Sequence, residues 1–315
     1  MKFMENTKIN FMAFKNAGFT ISGIMGIGSI VLLLLGINLG IDFKGGTMIG
    51  LNFSKNVDIE EVRTAMSAVE SDGQIIDLSG EEIKHFGSTD DVMIKVKIRD
   101  NESPDFAQHI VNHVYKTMGD KVPEDKNDFI LSLDSVSPKV GTELSGKALW
   151  SILSSLALIL LYISIRFEFK FALGAILALV HDITITLGIF SLTGYEVTLS
   201  TVAAFLTIVG YSLNDTIVIL DRIRENMKSS GTVLLESTIN KSINQSLSRT
   251  LITSMTTLLV ITVLLMYGGA TIRPFAFTLL VGVIIGTYSS IYVASTFLTT
   301  LYTVSYTHLT LPTKA

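Results

Sequence analysis

Residues 198–220 read TLSTVAAFLTIVGYSLNDTIVIL, a run of 23 residues with one charged side chain, Asp215. About 20 apolar residues carry a helix across a bilayer core. A carboxylate in the middle of such a helix costs about 2.5 to 3.5 kcal/mol on insertion scales, so a helix that keeps one turns it away from lipid. Runs of the same kind lie at residues 19–39, 149–165, 171–193, 250–268 and 275–304. The chain therefore reads as a polytopic α-helical membrane protein with six transmembrane helices. Composition agrees. Its 315 residues are 48% hydrophobic but 17% charged, with a mean hydropathy of +0.51, whereas soluble domains carry about 25% charge. A soluble enzyme and a disordered protein are excluded. Zero cysteine removes a disulfide scaffold, thiolate catalysis, Cys-ligated zinc and iron–sulfur clusters.

Charge is divided along the chain. Residues 40–145 hold 20 of the 28 acidic but 11 of the 24 basic residues, which disfavours nucleic acid as a partner, since phosphate contacts need clustered Lys and Arg. Lys2, Lys8 and Lys15 precede the first span. Arg166 and Lys170 lie between the second and third, and Arg222, Arg224, Lys228, Lys241 and Arg249 between the fourth and fifth, while the alternate short loops contribute only Arg273. Basic loops stay in the cytoplasm, so both termini are expected there. The expected organisation is a cytoplasmic N-terminus (1–18), transmembrane helix 1 (19–39), an extracytoplasmic, periplasmic domain (40–145), and transmembrane helices 2–6 (146–304) with a cytoplasmic amphipathic segment at 221–248. In that segment Leu235, Ile239, Ile243 and Leu247 recur every four residues, which suits a helix lying on the lipid interface or docking a partner. The first span reads as an anchor, because Ile24–Leu39 is long and no A-x-A-like cleavage site follows.

Between the first two spans the periodicity gives strands at Thr47–Phe53, Gln74–Leu78, Val92–Ile98 and Phe129–Leu133, and helices at Ile59–Val69 and Ser103–Met118, the latter with Pro104 in its first turn. This β-α-β-β-α-β order predicts an α+β ferredoxin-like domain. His109 and His113 are spaced as metal ligands on one helix face, but no third ligand has matching spacing, so no metal is expected. Residues 141–148, GTELSGKA, come near a phosphate-binding loop, yet Ala148 lacks the magnesium-holding hydroxyl and the segment opens a membrane helix, where Lys147 reads as an interfacial anchor. Gly23, Gly26 and Gly28 suggest close packing along span one.

The ionisable groups inside the spans are the informative ones. Asp182 sits at the middle of span three, in register with Gly174, Ala178 and Thr186, and reads either as a structural acceptor or as a functional group. Asn214 and Asp215 form a polar patch on span four, expected to point inward. Arg249, Thr253 and Thr256 make a polar file at the start of span five, and Arg249 reads either as an interfacial anchor or as the cation facing Asp215. A carboxylate balanced between burial and a nearby cation can gain and lose a proton as helices move. Gly282, Gly286 and Ser290, with Ala294, form a small-residue seam on span six.

Four stretches carry a resemblance: GIDFKGGT at 40–47, with Asp42, Gly45 and Gly46; RFEFKFALG at 166–174 leading to His181 and Asp182; VGYSLNDT at 209–216 with DRIREN at 221–226; and LSRTLITSMTT at 247–257. Over about residues 8–304 the chain resembles the SecD/SecF protein-export family within the RND superfamily. The resemblance implies an accessory translocase subunit that pairs with a SecD-like partner in the bacterial cytoplasmic (inner) membrane. There it would assist the SecYEG channel in exporting preproteins, drawing on the proton-motive force, with no enzymatic activity and no cofactor besides protons. Asp215 would be the proton-pathway carboxylate and Arg249 its basic partner. The alternatives are an RND-type proton-coupled exporter of lipid or small molecules, which would need a pseudo-symmetric partner, and a purely structural translocon subunit. Residues 305–315, SYTHLTLPTKA, lack the basic tail expected after span six and read as a non-native addition.

Overall fold

The computed structural model describes residues 7–71, 73–97, 105–230 and 235–309. Its contacts divide the chain into two units, Leu39–Trp150 and Met1–Asn38 with Ser151–Ala315. A 3-10 turn, Phe11–Phe14, is capped by the Asn10 side chain, which accepts from Ala13 N at 3.2 Å, and leads into α1 (Lys15–Leu35).

The first unit begins with α2 (Ile41–Lys44) and β1 (Gly46–Asn52), joined through Gly45 at φ +76° and Gly46 at φ +146°. Both glycines lie where a Cβ is disfavoured, and a Cβ on Gly45 would also sit 3.0 Å from Pro138 Cα. Then come α3 (Ile59–Ala65), capped by the Asp58 side chain, a 3-10 turn (Met66–Ala68), β2 (Val69–Ser71), β3 (Gln74–Ile76), β4 (Glu82–Phe86), β5 (Ser88–Val96), α4 (Phe106–Thr117), α5 (Lys126–Phe129) and β6 (Ile130–Val136). The sheet order is β4-β5-β1-β6, with every neighbouring pair antiparallel, which is the ferredoxin-like arrangement. Ile49, Leu51, Val92 and Ile94 on one sheet face join Val62, Ile110 and Val114 of the helices in a core that is 0% exposed at each of these positions.

The strand expected at Gln74–Leu78 is a correction. Gln74–Ile76 pairs only with Val69–Ser71, outside the main sheet, and the sheet's edge position is filled by Glu82–Phe86. That strand escapes a periodicity reading because Ile83 is its only buried residue. Ile98, Ser103 and Pro104 lie outside the described residues.

The remaining elements are α6 (Pro138–Arg166), α7 (Phe169–Leu192), α8 (Leu199–Ser230), α9 (Leu235–Tyr267), α10 (Gly269–Ser289), a π-helical turn (Ser290–Ala294) and α11 (Ser295–Leu309). Six stretches are long and apolar enough to cross a membrane, the last running through α10, the π turn and α11. This is a multi-pass membrane protein with a small sheet domain between helices 1 and 2. Residues 310–315 of the suspected tail lie outside the described residues.

In the bundle, α7, α8 and the sixth span are each about half buried, whereas α1 and α9 mostly face outward. Gly282 of α10 packs on Ile208 of α8 and Gly286 on Ser212, each too close for a freely placed side chain. Ser290 is fully buried and donates to Thr287 O at 2.9 Å. On α1 the close contact is made by Gly18 against Tyr292 and by Ser29 against Gly188, while a Cβ on Gly23, Gly26 or Gly28 would meet nothing within 4 Å. The packing expected at those three glycines is therefore displaced to the next face of the helix.

The segment 221–248 packs within the chain. Here α8 and α9 continue past the apolar runs and pack together, with Ile239, Ile243 and Leu247 buried against Ile219, Leu220 and Ile223. Asn226 Nδ2 bridges to Ser242 Oγ and Gln245 Oε1, both at 2.8 Å. The four-residue apolar stripe is satisfied by a neighbouring helix, a partner that sequence periodicity does not name.

Candidate functional site

The two mid-span carboxylates sit in separate polar clusters, both built on α8 and α10. Asp215 of α8 is 3% exposed. Ser254 Oγ of α9 donates to Asp215 Oδ2 at 3.3 Å and lies 2.7 Å from Thr287 Oγ1 of α10, which in turn donates to Val283 O at 2.8 Å. A hydroxyl carries one proton and accepts others, so this file has two settings. With Asp215 ionised, Ser254 donates to the carboxylate and accepts from Thr287, whose proton turns away from Val283 O. With Asp215 protonated, Ser254 accepts from it and donates to Thr287. The buried hydroxyls of Thr216 and Thr250, which have no protein partner among the described residues, border this file in sequence.

Asp182 of α7 is fully buried. Its Oδ2 accepts from Ser212 Oγ of α8 at 2.5 Å and from Ser289 Oγ of α10 at 2.7 Å, and its Oδ1 lies 2.9 Å from His181 Nδ1. Among the described residues it pairs with no lysine or arginine.

Two expectations need correction. Arg249 is exposed and lies outside ion-pair distance of Asp215, yet near enough for its charge to act on that carboxyl. Asn214 is exposed too, not turned inward. Thr253 donates to its own helix, to Arg249 O at 3.0 Å and Thr250 O at 2.9 Å, and does not reach Asp215. The reason is helical phase: one residue along α9 rotates the side chain by about 100°. The buried file is Ser242, Ser246, Thr250 and Ser254, and Arg249–Thr253–Thr256 runs beside it on the outward side. Both files are i, i+3 or i+4 series, so spacing alone does not tell them apart.

Elsewhere, the near-miss phosphate loop is ordinary helix inside α6, where Lys147 pairs with Glu143 at 2.7 Å. His109 Nδ1 bonds Ser71 Oγ at 2.8 Å and His113 Nε2 bonds Ala65 O at 3.0 Å. Among the described residues no three His, Asp or Glu side chains gather around a common point.

Residues 114–304 match the family described as "Protein export membrane protein SecD/SecF, C-terminal", and residues 30–57 match the "SecD/SecF GG Motif". The protein translocase subunit SecF of Calditerrivibrio nitroreducens is 43% identical over 298 residues, 92% of this chain and 93% of that protein. The chain belongs to the SecF family. The SecF subunit of Vibrio alginolyticus is 44% identical over 91% of this chain and 88% of its own length. Among solved structures, SecDF of Thermus thermophilus, described as a translocon-associated membrane protein, superposes with a TM-score of 0.80 at 34% identity, covering 96% of this chain. A second SecDF structure, the super-membrane-facing form, superposes at 0.66 over the same share. The chain spans 40% of the length of either SecDF chain, and Gly45 and Gly46, with their positive φ angles, fall inside the GG-motif match.

Proposed function

We propose that this protein is the subunit that couples proton movement to Sec-dependent export, working with a SecD-like partner in the bacterial inner membrane to assist the SecYEG channel in drawing preproteins outward. The observation that carries the reading is the buried Asp215 with its reversible Ser254–Thr287 file. A proton crossing the membrane potential releases about 2.3 kcal/mol per 100 mV, enough to bias two helix arrangements severalfold. Two SecDF forms that superpose differently on one chain are in keeping with such alternatives.

The partner face is suggested by what α8 leaves exposed. Ala203, Thr207, Gly210 and Asn214 recur along one outward stripe, and small or polar residues facing out of a membrane helix suit another helix better than lipid. Arg249 also faces outward, so a SecD-like subunit covering this side would enclose the cation and supply the surroundings it lacks in the single chain. Large apolar residues of α9, such as Leu259 and Val263, suit lipid. No step requires covalent chemistry.

The test is Asp215→Asn in inverted vesicles carrying the complex, with translocation of a reporter preprotein measured with and without a proton gradient. The gradient-dependent part is expected to fall at least tenfold while ATP-driven translocation and subunit levels hold. Undiminished gradient dependence would overturn the proposal.

A further inference from the structure

Asp182 lies outside the Asp215 hydroxyl file yet brings together more of the bundle than any single polar contact around it. Its carboxylate is 0% exposed and gathers donors from three helices: His181 beside it on α7, Ser212 on α8 and Ser289 on α10. Ser212 lies three residues before Asp215 on α8, and Ser289 lies two after Thr287 on α10. The helices that carry the proton file are therefore tied together one turn away from it. At the same level Gly286 brings the α10 backbone against Ser212. The residue that follows Ser289 begins the π-helical turn Ser290–Ala294. Such a turn breaks the regular hydrogen-bond ladder and is a natural place for a helix to pivot. The His181 ring faces Tyr288, with centroids 6.3 Å apart, and the Tyr288 hydroxyl donates to Gly18 O of α1 at 2.7 Å.

We propose that Asp182 is the positioning residue of the proton site: by drawing the Ser212 and Ser289 hydroxyls onto one carboxylate oxygen, it fixes α8 against the part of α10 before the π turn, and so sets Asp215 in register with Ser254 and Thr287. This inference rests on the proton reading of Asp215. Its chemistry is that of an acceptor. Three of the carboxylate's roughly four lone-pair sites are in use, no arginine or lysine balances it, and an amide in its place would still offer an oxygen to both serines. The amide NH2 would then meet the His181 ring nitrogen in the opposite tautomer.

The chain has no cysteine, so the α8–α10 distance can be read directly. The Ile208→Cys/Gly282→Cys pair is placed in otherwise unchanged full-length chain, in vesicles with its partner, and the rate of disulfide formation is followed. Asp182→Ala is expected to slow cross-linking at least threefold and to lower gradient-dependent translocation, assayed without the cysteine pair, at least fivefold. Asp182→Asn is expected to cross-link at the unsubstituted rate and to keep at least half of the translocation. Two results overturn the inference: an alanine variant that cross-links and translocates normally, or an asparagine variant as defective as alanine at equal subunit levels, which assigns the requirement to the carboxyl's charge. If Asp215→Asn keeps its gradient dependence, the proton reading fails separately, and the cross-linking rates still decide whether Asp182 fixes the two helices.

Discussion

The sheet domain and the helical bundle differ in how much polar surface they bury. In the domain between helices 1 and 2, the interior is aliphatic and aromatic, and its only buried polar residues among those described are Thr47 and Ser71. Its charges stay at the surface, where Lys121 pairs with Glu61 and Lys84 with Glu82. The bundle mixes the two. Leu34 is 82% exposed and Ile165 79%, while its interior holds Ser, Thr, Asn and two Asp side chains among Phe171, Phe190 and Ile185. Water explains the first pattern and lipid the second. Burying an aliphatic side chain away from water is favourable by about 1.5 to 3 kcal/mol. Moving it from lipid into a helix interface gains little, because lipid tails are as apolar as leucine. Bundle helices are therefore held by close approach at glycines and by hydroxyl contacts.

That contrast breaks most readily with a matched pair of truncations. Leu51→Ala, in the fully buried sheet core, is expected to cost about 2 to 5 kcal/mol. Leu259→Ala, at a position 65% exposed on α9, should stay within about 0.5 kcal/mol. Limited proteolysis of the full-length protein in detergent reads the first and a thermal melt the second; equal costs would mean that the two regions obey one rule. A middling effect is expected from Gly282→Leu, which forces a side chain into Ile208 and should cost about 1 to 3 kcal/mol by overpacking, seen as a lowered melting temperature.

A small effect also belongs to the domain surface. The Lys84 ammonium, 2.9 Å from Glu82, holds that carboxyl below its ordinary value of 4.5, against an opposing effect of partial burial. A carboxylate favoured in the folded state adds stability above its unfolded value and loses it as pH falls through the lowered one. Lys84→Met should therefore cost under about 1 kcal/mol near pH 7, since the pair is half exposed to solvent. The difference should vanish well below pH 4.5, as judged by hydrogen exchange across β4 and β5.

The same contrast explains what could be read in advance. In the sheet domain, alternation of Val92, Ile94 and Val96 marked the buried face, because one side of that strand meets water. In α9 no such signal exists. Arg249–Thr253 and Thr250–Ser254 are equally plausible polar files by spacing, and hydropathy is silent on which turns inward.

The sequence by itself determined the six spans, the α+β domain between the first two, and the presence of costly carboxylates at Asp182 and Asp215. Span length and the penalty for a charge in lipid are properties of a stretch of chain. Only the tertiary structure decided that Ser254 and Thr287 serve Asp215, that Ser212 and Ser289 serve Asp182, and that Asn214 and Arg249 face outward. Because large apolar side chains suit lipid and the bundle interior alike, the rotation of each helix is set by its neighbours' shapes and hydroxyl partners, which become adjacent only when the helices pack.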